Sequence, residues 1–484
     1  MDSHEYDLLI DGERRPAATT LTVENPATGG TVGEVASGDA ADARAAVEAA
    51  DAAATAWERT APGEREATLR SVADRIEAAS ESLARLLAAE AGKPLGTAEG
   101  EVAETVGQFR FYAGAADKVR GDTVPTAPNR LNYTRRRPYG VTAHVVPWNY
   151  PLLLGTRGFA SALATGNTLV VKPPSLAPLS TMWVGEVMAE ATPDGVVNVV
   201  PGPGSEVGAE LAGNGDVDAI TFTGSTGVGK GVLEAAAENV TPVDVELGGK
   251  APAIVLADAD VENAARGVVA GIFSNAGQNC VATSRCLVHE DVHDELVSKV
   301  VEKTERITLG AGTDPDTDVG PVVSADAKAD VLGYVDSAVA EGATLLTGGG
   351  TPDDPALADG HFVEPTVFDD VTPDMTVARE EIFGPVLSFV TVSSTAEAVE
   401  VANDSPFGLA AAVWSESMDA TRVADRLDHG LVAINTFPVS MPQSPWGGNK
   451  ESGIGREGGL EGAEAFTTVD SVVIEHDGME DPFR

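Results

Sequence analysis

Between residues 40 and 119, apolar residues return every three or four positions, and this spacing predicts amphipathic helices. It is clearest in DARAAVEAADAAATAW and in ATLRSVADRIEAASESLARLLAAEAG, the second ending on the stop signal Gly92-Lys93-Pro94. LNYTRRR at 131–137 then reads as an exposed strand. Short apolar runs bounded by Gly, Pro, Asn or Asp follow: GVTAHVV, NTLVVK, GVVNVV and DAITF, with helical stretches at 178–191 and 205–213 between them. Such alternation predicts a parallel sheet with helices on both faces. A second set starts near residue 252, with strands expected in APAIVLAD, CLVHE, ATLLTGG, HFVEPTVFDD and VLSFVTV and helices near 260–273, 291–308 and 324–341. SVVIEH is a late strand outside both sets. The expected class is α/β.

Composition narrows this picture. A chain of 484 residues exceeds one ordinary hydrophobic core, so two or three domains are expected. The net charge of −43, with only nine lysines, argues against partnership with nucleic acid or anionic membrane. The acidic residues are spread along the chain, which suits a solvated skin in a high-salt cytoplasm. The only cysteines, Cys280 and Cys286, cannot form a disulfide framework, so a reducing, cytoplasmic location is expected. No cluster with metal-ligand spacing occurs, and neither a signal peptide nor an apolar span long enough for a membrane is read.

The candidate chemistry sits in a few loops. FTGSTGVGK, residues 222–230, fits the phosphate-cradling pattern G-x-x-x-x-G-K from Gly224 onward, between a strand and a helix start. The hydroxyl that would hold magnesium after the lysine is replaced by Gly231, which counts against a triphosphatase. A phosphate cradle without its metal and a plain structural turn both remain open for the loop alone. Glu246, in ELGGK, lies between apolar Val245 and Leu247 and is expected to be buried. Cys280, in GQNCVATSR, has small polar neighbours that leave its sulfur reachable, whereas Cys286 in RCLVHE reads as core. Asn149, in VVPWNYPLLLGTR, is stiffened by prolines on both sides and can offer an amide to an oxyanion or cap a turn. Lys172 ends a strand in VVKPPS, and EEIFGPV at 380–386 places two carboxylates before a loop.

Taken together, PWN, VVKP, FTGST, ELGGK, GQNC and EEIFGPV resemble, in this order, the NAD(P)-dependent aldehyde dehydrogenase superfamily, from about residue 6 to 476. The resemblance implies that Cys280 is the nucleophile, that Asn149 holds the oxyanion, and that Glu246 activates the water that hydrolyses a thioester to a carboxylate. It assigns the dinucleotide to Val146, Pro147, Trp148, Lys172, Ser175, Gly204, Gly208, Thr223, Gly224, Ser225, Gly229, Leu247, Glu381 and Phe383. Gly224 to Gly229 would meet the pyrophosphate, Lys172 the adenosine ribose and Glu381 the nicotinamide ribose. The resemblance also implies a Rossmann-like cofactor domain (1–118 and 141–247), a second α/β catalytic domain (248–450) and a small β oligomerisation arm (119–140 and 451–484). A homodimer or homotetramer would follow.

Position 175 departs from the pattern of many NAD-preferring members, which carry glutamate there. Ser175 removes that negative charge, so NADP is expected to be accepted and preferred. Arg157 falls where the resemblance places the aldehyde tunnel; it could pair with a substrate carboxylate, as in semialdehyde oxidisers, and related aromatic-aldehyde members also carry arginine there. Ser274 stands where semialdehyde oxidisers often carry a further arginine, and SPWGG at 444–448 loosely resembles betaine-aldehyde members. Semialdehyde, aromatic and betaine-type substrates all stay open.

Overall fold

The computed structural model describes residues 4–476 and Gly478, so residues 1–3, 477 and 479–484, at the outer ends of the expected first domain and arm, lie outside it. The first large sheet has eight strands in the order Gly453–Ile454, Val243–Glu246, Ala219–Thr223, Val141–Val145, Thr168–Lys172, Val197–Val199, Leu8–Ile10 and Glu13–Arg15. The five from Val243–Glu246 across to Val197–Val199 are parallel. In chain order they start at Val141–Val145, add two strands on one side, then cross to add two on the other. Strand order therefore reverses between Val141–Val145 and Ala219–Thr223, and ligands bind such sheets beyond the carboxyl ends at that reversal.

The second sheet has seven strands, in the order Thr344–Thr347, Thr366–Asp369, Val386–Val392, Arg285–His289, Pro252–Val255, Ala410–Trp414 and Leu431–Ile434. Only Thr344–Thr347 runs antiparallel to its neighbour. The strand expected over 361–370 is confined to Thr366–Asp369. Ala410–Trp414 and Leu431–Ile434 carry no strand signal in the sequence, because the alanines of the first favour a helix locally. Here burial against a parallel sheet decides instead. Five short strands between His4 and Ser37 were also not expected, since three of them have only three residues and show no readable alternation.

A third, antiparallel sheet joins Thr123–Val124, Arg130–Pro138 and Thr467–Glu475. The last two pair without interruption from Thr467↔Pro138 to Glu475↔Arg130. Within the stretch 451–484 expected to form an arm, Gly453–Ile454 instead pair with Glu246 and Val245, on an edge of the first sheet that is otherwise open.

Residues 40–115 form four helices, Ala40–Glu58, Pro62–Ala78, Ser80–Ala91 and Leu95–Ala115. Gly92 ends the third at φ +78°, where a Cβ would lie 2.7 Å from Pro26 and 2.9 Å from Pro321. Leu69, Val72, Ile76, Leu87 and Phe109 of these helices share a core with Phe159 and Leu163. Each such side chain contributes roughly 1.5–3 kcal/mol on burial. Phe159 and Leu163 belong to helix Pro151–Thr165, which is buried along its whole length. A polar side chain on that helix must find a partner inside the protein. Among the described residues, no helix is long and apolar enough to cross a membrane.

Candidate active site

A cavity of about 530 Å³ opens at the strand reversal. Its lining comes from the segments that follow the parallel strands: Val146 to Asn149, Lys172 and Ser175, Gly204, Thr223 to Ser225, and Leu247. Cys280, Glu381 and Phe383 complete it from the second sheet's side. Most of the residues expected to hold a dinucleotide are therefore brought together. Gly208 and Gly229 are not among the lining residues. A Cβ on Gly208 would sit 3.6 Å from Lys172 Cδ, and one on Gly229 would strike Leu247 Cδ2 at 2.3 Å. Gly229 thus makes room for Leu247, which lines the cavity, while a side chain at Gly208 would meet Lys172 only at ordinary contact distance.

The cavity fits a dinucleotide on its own chemistry. Helix Thr226–Ala237 starts at its wall with Ser225 as cap, and the free N–H groups of a helix start suit a phosphate. Gly204 leaves open space where any side chain would intrude. Glu381 is held by Gly249 N–H, which donates to Oε1 at 3.0 Å, and burial pushes its carboxyl up to about 7. The Phe383 ring meets Trp148 edge-on at 5.4 Å, closing one end. Lys172 is buried with Nζ donating to Pro173 O at 2.8 Å, and burial lowers its ammonium to about 8.

The glycine pair of ELGGK has a steric reason. A Cβ at Gly248 would lie 2.2 Å from Glu381 Oε2, and one at Gly249 would lie 2.2 Å from the Cys280 carbonyl oxygen. The strand carrying Glu246 can approach the Cys280 loop only without those side chains. That loop is itself tight, with Asn275, Ala276 and Gly277 all at positive φ. Gln278 braces it by donating from Nε2 to Asn275 O and accepting from Val323 N–H.

Asn149 Nδ2 donates one N–H to Gln278 O at 3.1 Å, and an amide nitrogen carries a second. Glu246 is buried, and neither of its carboxylate oxygens has a hydrogen-bond partner among the described residues. Burial holds its carboxyl well above the usual range, and the nearby Glu457 and Asp244 carboxylates add to the shift. Burial likewise pushes the Cys280 thiol up to about 12, helped by Glu381 and Glu246 and opposed by Arg157.

Arg157 is held among other side chains. It is 2% exposed, donates from Nη2 to Ser440 Oγ at 2.7 Å, approaches Glu457 at 3.6 Å and stacks over the Trp446 ring at 4.5 Å. It sits on the buried helix Pro151–Thr165, where Glu457 is the carboxylate nearest its charge and Nη1 has no hydrogen-bond partner among the described residues. A second space of about 240 Å³ is lined by Asn279 and Val281, the chain neighbours of Cys280, and by Glu104, Tyr150, Ser274 and Phe437 among others. No lysine or arginine lines it. Asp244, Glu457 and the buried pair Lys93–Glu101 carry no sequence signal of a site, because acidic residues are everywhere in this chain and Lys93 reads as part of a helix stop.

The comparisons with known proteins agree on one family. A model of the aldehyde dehydrogenase family matches residues 14–472. Betaine aldehyde dehydrogenase of Bacillus subtilis is 44% identical over 419 residues, 86% of each chain. Alpha-ketoglutarate semialdehyde dehydrogenase of Haloferax volcanii is 41% identical over 426 residues, 87% of this chain and 88% of that one. Among solved structures, betaine aldehyde dehydrogenase of Staphylococcus aureus in complex with NAD+ superimposes with a TM-score of 0.97 at 38% identity, covering 99% of this chain and 96% of that one.

Proposed function

The chain belongs to the aldehyde dehydrogenase family and oxidises an aldehyde with NAD(P)+, and we propose that Cys280, Glu246 and Asn149 carry the reaction. One observation carries this reading. The Cys280 thiol faces the dinucleotide-sized cavity beside the buried carboxyl of Glu246, whose oxygens have no hydrogen-bond partner among the described residues.

Cys280 Sγ attacks the aldehyde carbon after losing its proton, which burial otherwise retains on the sulfur. The oxyanion that forms is held by the second N–H of Asn149 Nδ2 and by the Cys280 N–H. NAD(P)+, when bound, supplies the acceptor for the hydride that leaves the adduct. The thioester left on Cys280 is then hydrolysed by water whose proton passes to Glu246, releasing a carboxylate. A retained Glu246 separates this hydrolytic route from transfer of the acyl group to coenzyme A. In this reading 1–118 with 141–247 bind the cofactor, 248–450 carry the catalytic loop, and the arm of 119–140 with 451–484 joins copies into a homodimer or homotetramer. Its exposed Val469, Val473 and Ile474 support this assembly.

The test is a kinetic screen of aldehydes with both cofactors, following reduced nicotinamide and the carboxylate product together. One expected result concerns the substrate's charge. With Arg157 engaged and Glu104 in the wall of the second space, a cationic or neutral aldehyde should outperform a carboxylate-bearing semialdehyde. A single charge contact at 4 Å is worth about 1 kcal/mol in water, so the difference in kcat/KM should be roughly fivefold at low salt, shrinking with added salt. Glu104→Gln should narrow it, and a semialdehyde preferred by wild type would count against this reading.

The second expected result concerns the cofactor. Ser175 is exposed on the cavity wall and donates from Oγ to Gly202 O at 3.3 Å, so it brings no negative charge toward a 2′-phosphate. NADP should be accepted and preferred, and Ser175→Glu should lower its kcat/KM by about 10-fold or more, since like charges in contact cost several kcal/mol. The Lys172 ammonium is protonated below about 8 and neutral above it. The advantage of NADP should therefore shrink as pH rises through that value. A pH-independent preference for NAD would contradict both statements.

A further inference from the structure

Asn149 is gripped by a buried ion pair that the reaction itself does not use. The side chains of Lys93 and Glu101 are completely buried and pair with each other. Lys93 Nζ also donates to Asn149 O at 2.6 Å and lies 3.9 Å above the Tyr150 ring. Glu101 Oε1 accepts from Leu152 N–H at 2.9 Å and Leu153 N–H at 3.2 Å. Those two N–H groups open helix Pro151–Thr165, whose N-cap residue, Tyr150, makes no side-chain cap of its own. The pair thus holds the backbone on both sides of Tyr150: the carbonyl of 149 from one end, the first helical N–H groups from the other. The Asn149 amide then has little freedom, because its own N–H to Gln278 O ties it to the residue two before Cys280.

A buried ion pair adds little net stability over an apolar pair of similar volume, because desolvating two charges costs about as much as their attraction returns. Its value lies in fixed geometry, and oxyanion stabilisation depends on a donor aimed before the charge develops. We propose that Lys93 and Glu101 are positioning residues that aim the Asn149 amide at the oxyanion formed on the Cys280 adduct. This rests on the reading of Asn149 as the oxyanion donor.

A double-mutant cycle on the first turnover tests it. The acylation rate is read as the single-turnover appearance of reduced nicotinamide, with cofactor Kd and Tm measured alongside. The combined variant Lys93→Met with Glu101→Gln removes both charges while nearly keeping volume. It should slow acylation by about 10- to 100-fold, the scale of an ångström-level misplacement, with cofactor Kd unchanged. Added to Asn149→Ala, the same pair of changes should cost nothing further. Equal losses in both backgrounds, or no loss in the wild-type background, would overturn the positioning role. An Asn149→Ala enzyme that acylates at the wild-type rate would instead remove the oxyanion reading, and the positioning role with it. Should the combined variant fail to fold, Glu101→Asp serves the same cycle. It keeps the charge but withdraws the carboxylate from Leu152 N–H, and its smaller loss should likewise vanish in Asn149→Ala.

Discussion

Replacing Cys280 by alanine should abolish turnover, with kcat falling by at least about 10⁴-fold, while Cys286→Ala keeps most of it. Loss of a covalent nucleophile removes the whole two-step route, and effects of that order or larger follow when no second group can substitute. Both cysteines are free, but their settings differ. Cys280 lines the dinucleotide-sized cavity. Cys286 lies on strand Arg285–His289 between Pro252–Val255 and Val386–Val392, fully buried among apolar side chains. Its sulfur is a packing atom, so Cys286→Ala should cost on the order of 1 kcal/mol of stability and little activity. Steady-state rates for the two variants with one aldehyde check this. An active Cys280→Ala enzyme would remove the proposed mechanism.

Glu246→Gln should separate the two halves of the reaction. Glutamine keeps the size of the side chain and loses the base, so acylation proceeds and deacylation slows by about 10²- to 10⁴-fold. A rapid burst of reduced nicotinamide close to one per active site should precede a slow steady state. The pH dependence has a definite sign. Burial, then the Glu457 and Asp244 carboxylates, hold the Glu246 carboxyl well above its usual range. Deacylation in wild type should therefore rise with pH as that carboxyl ionises, and the rise should be absent from the slow phase of Glu246→Gln. Stopped-flow traces across pH test both points. A burst-free Glu246→Gln enzyme with wild-type steady turnover would assign the base elsewhere.

Most of the cavity was legible because its parts follow strands at Gly and Pro punctuation. PWN, VVKP, FTGST and ELGGK each begin where an apolar run stops, and parallel strands bring all those stops to one end of a sheet. The steric work of the glycines was only partly legible. FTGSTGVGK reads as a phosphate loop, yet its Gly229 packs under Leu247, a contact that only the folded sheet creates. Arg157 shows a different limit. The run PLLLGTRGFASALAT signals a buried helix, but not that Glu457, three hundred residues on, supplies the counter-charge. Among 75 acidic residues, Asp244 and Glu457, which raise the Glu246 carboxyl, cannot be told from solvated ones by pattern. Lys93 was hidden by its place in a helix stop, where Gly92 and Pro94 explain the local sequence without it. Ala410–Trp414 was missed because strand formation there depends on partners far along the chain.

In the proposed reaction the aldehyde becomes an acyl group on Cys280, which Glu246 then helps water to remove. This reaction is tested most directly by intact-protein and peptide mass spectrometry of Glu246→Gln, quenched seconds after mixing with an aldehyde and NAD(P)+. One acyl group per chain is expected, on the peptide carrying Cys280, lost on treatment with hydroxylamine and absent when the cofactor is omitted. An unmodified Cys280 during the nicotinamide burst, or an acyl group carried by Cys286 instead, would contradict it.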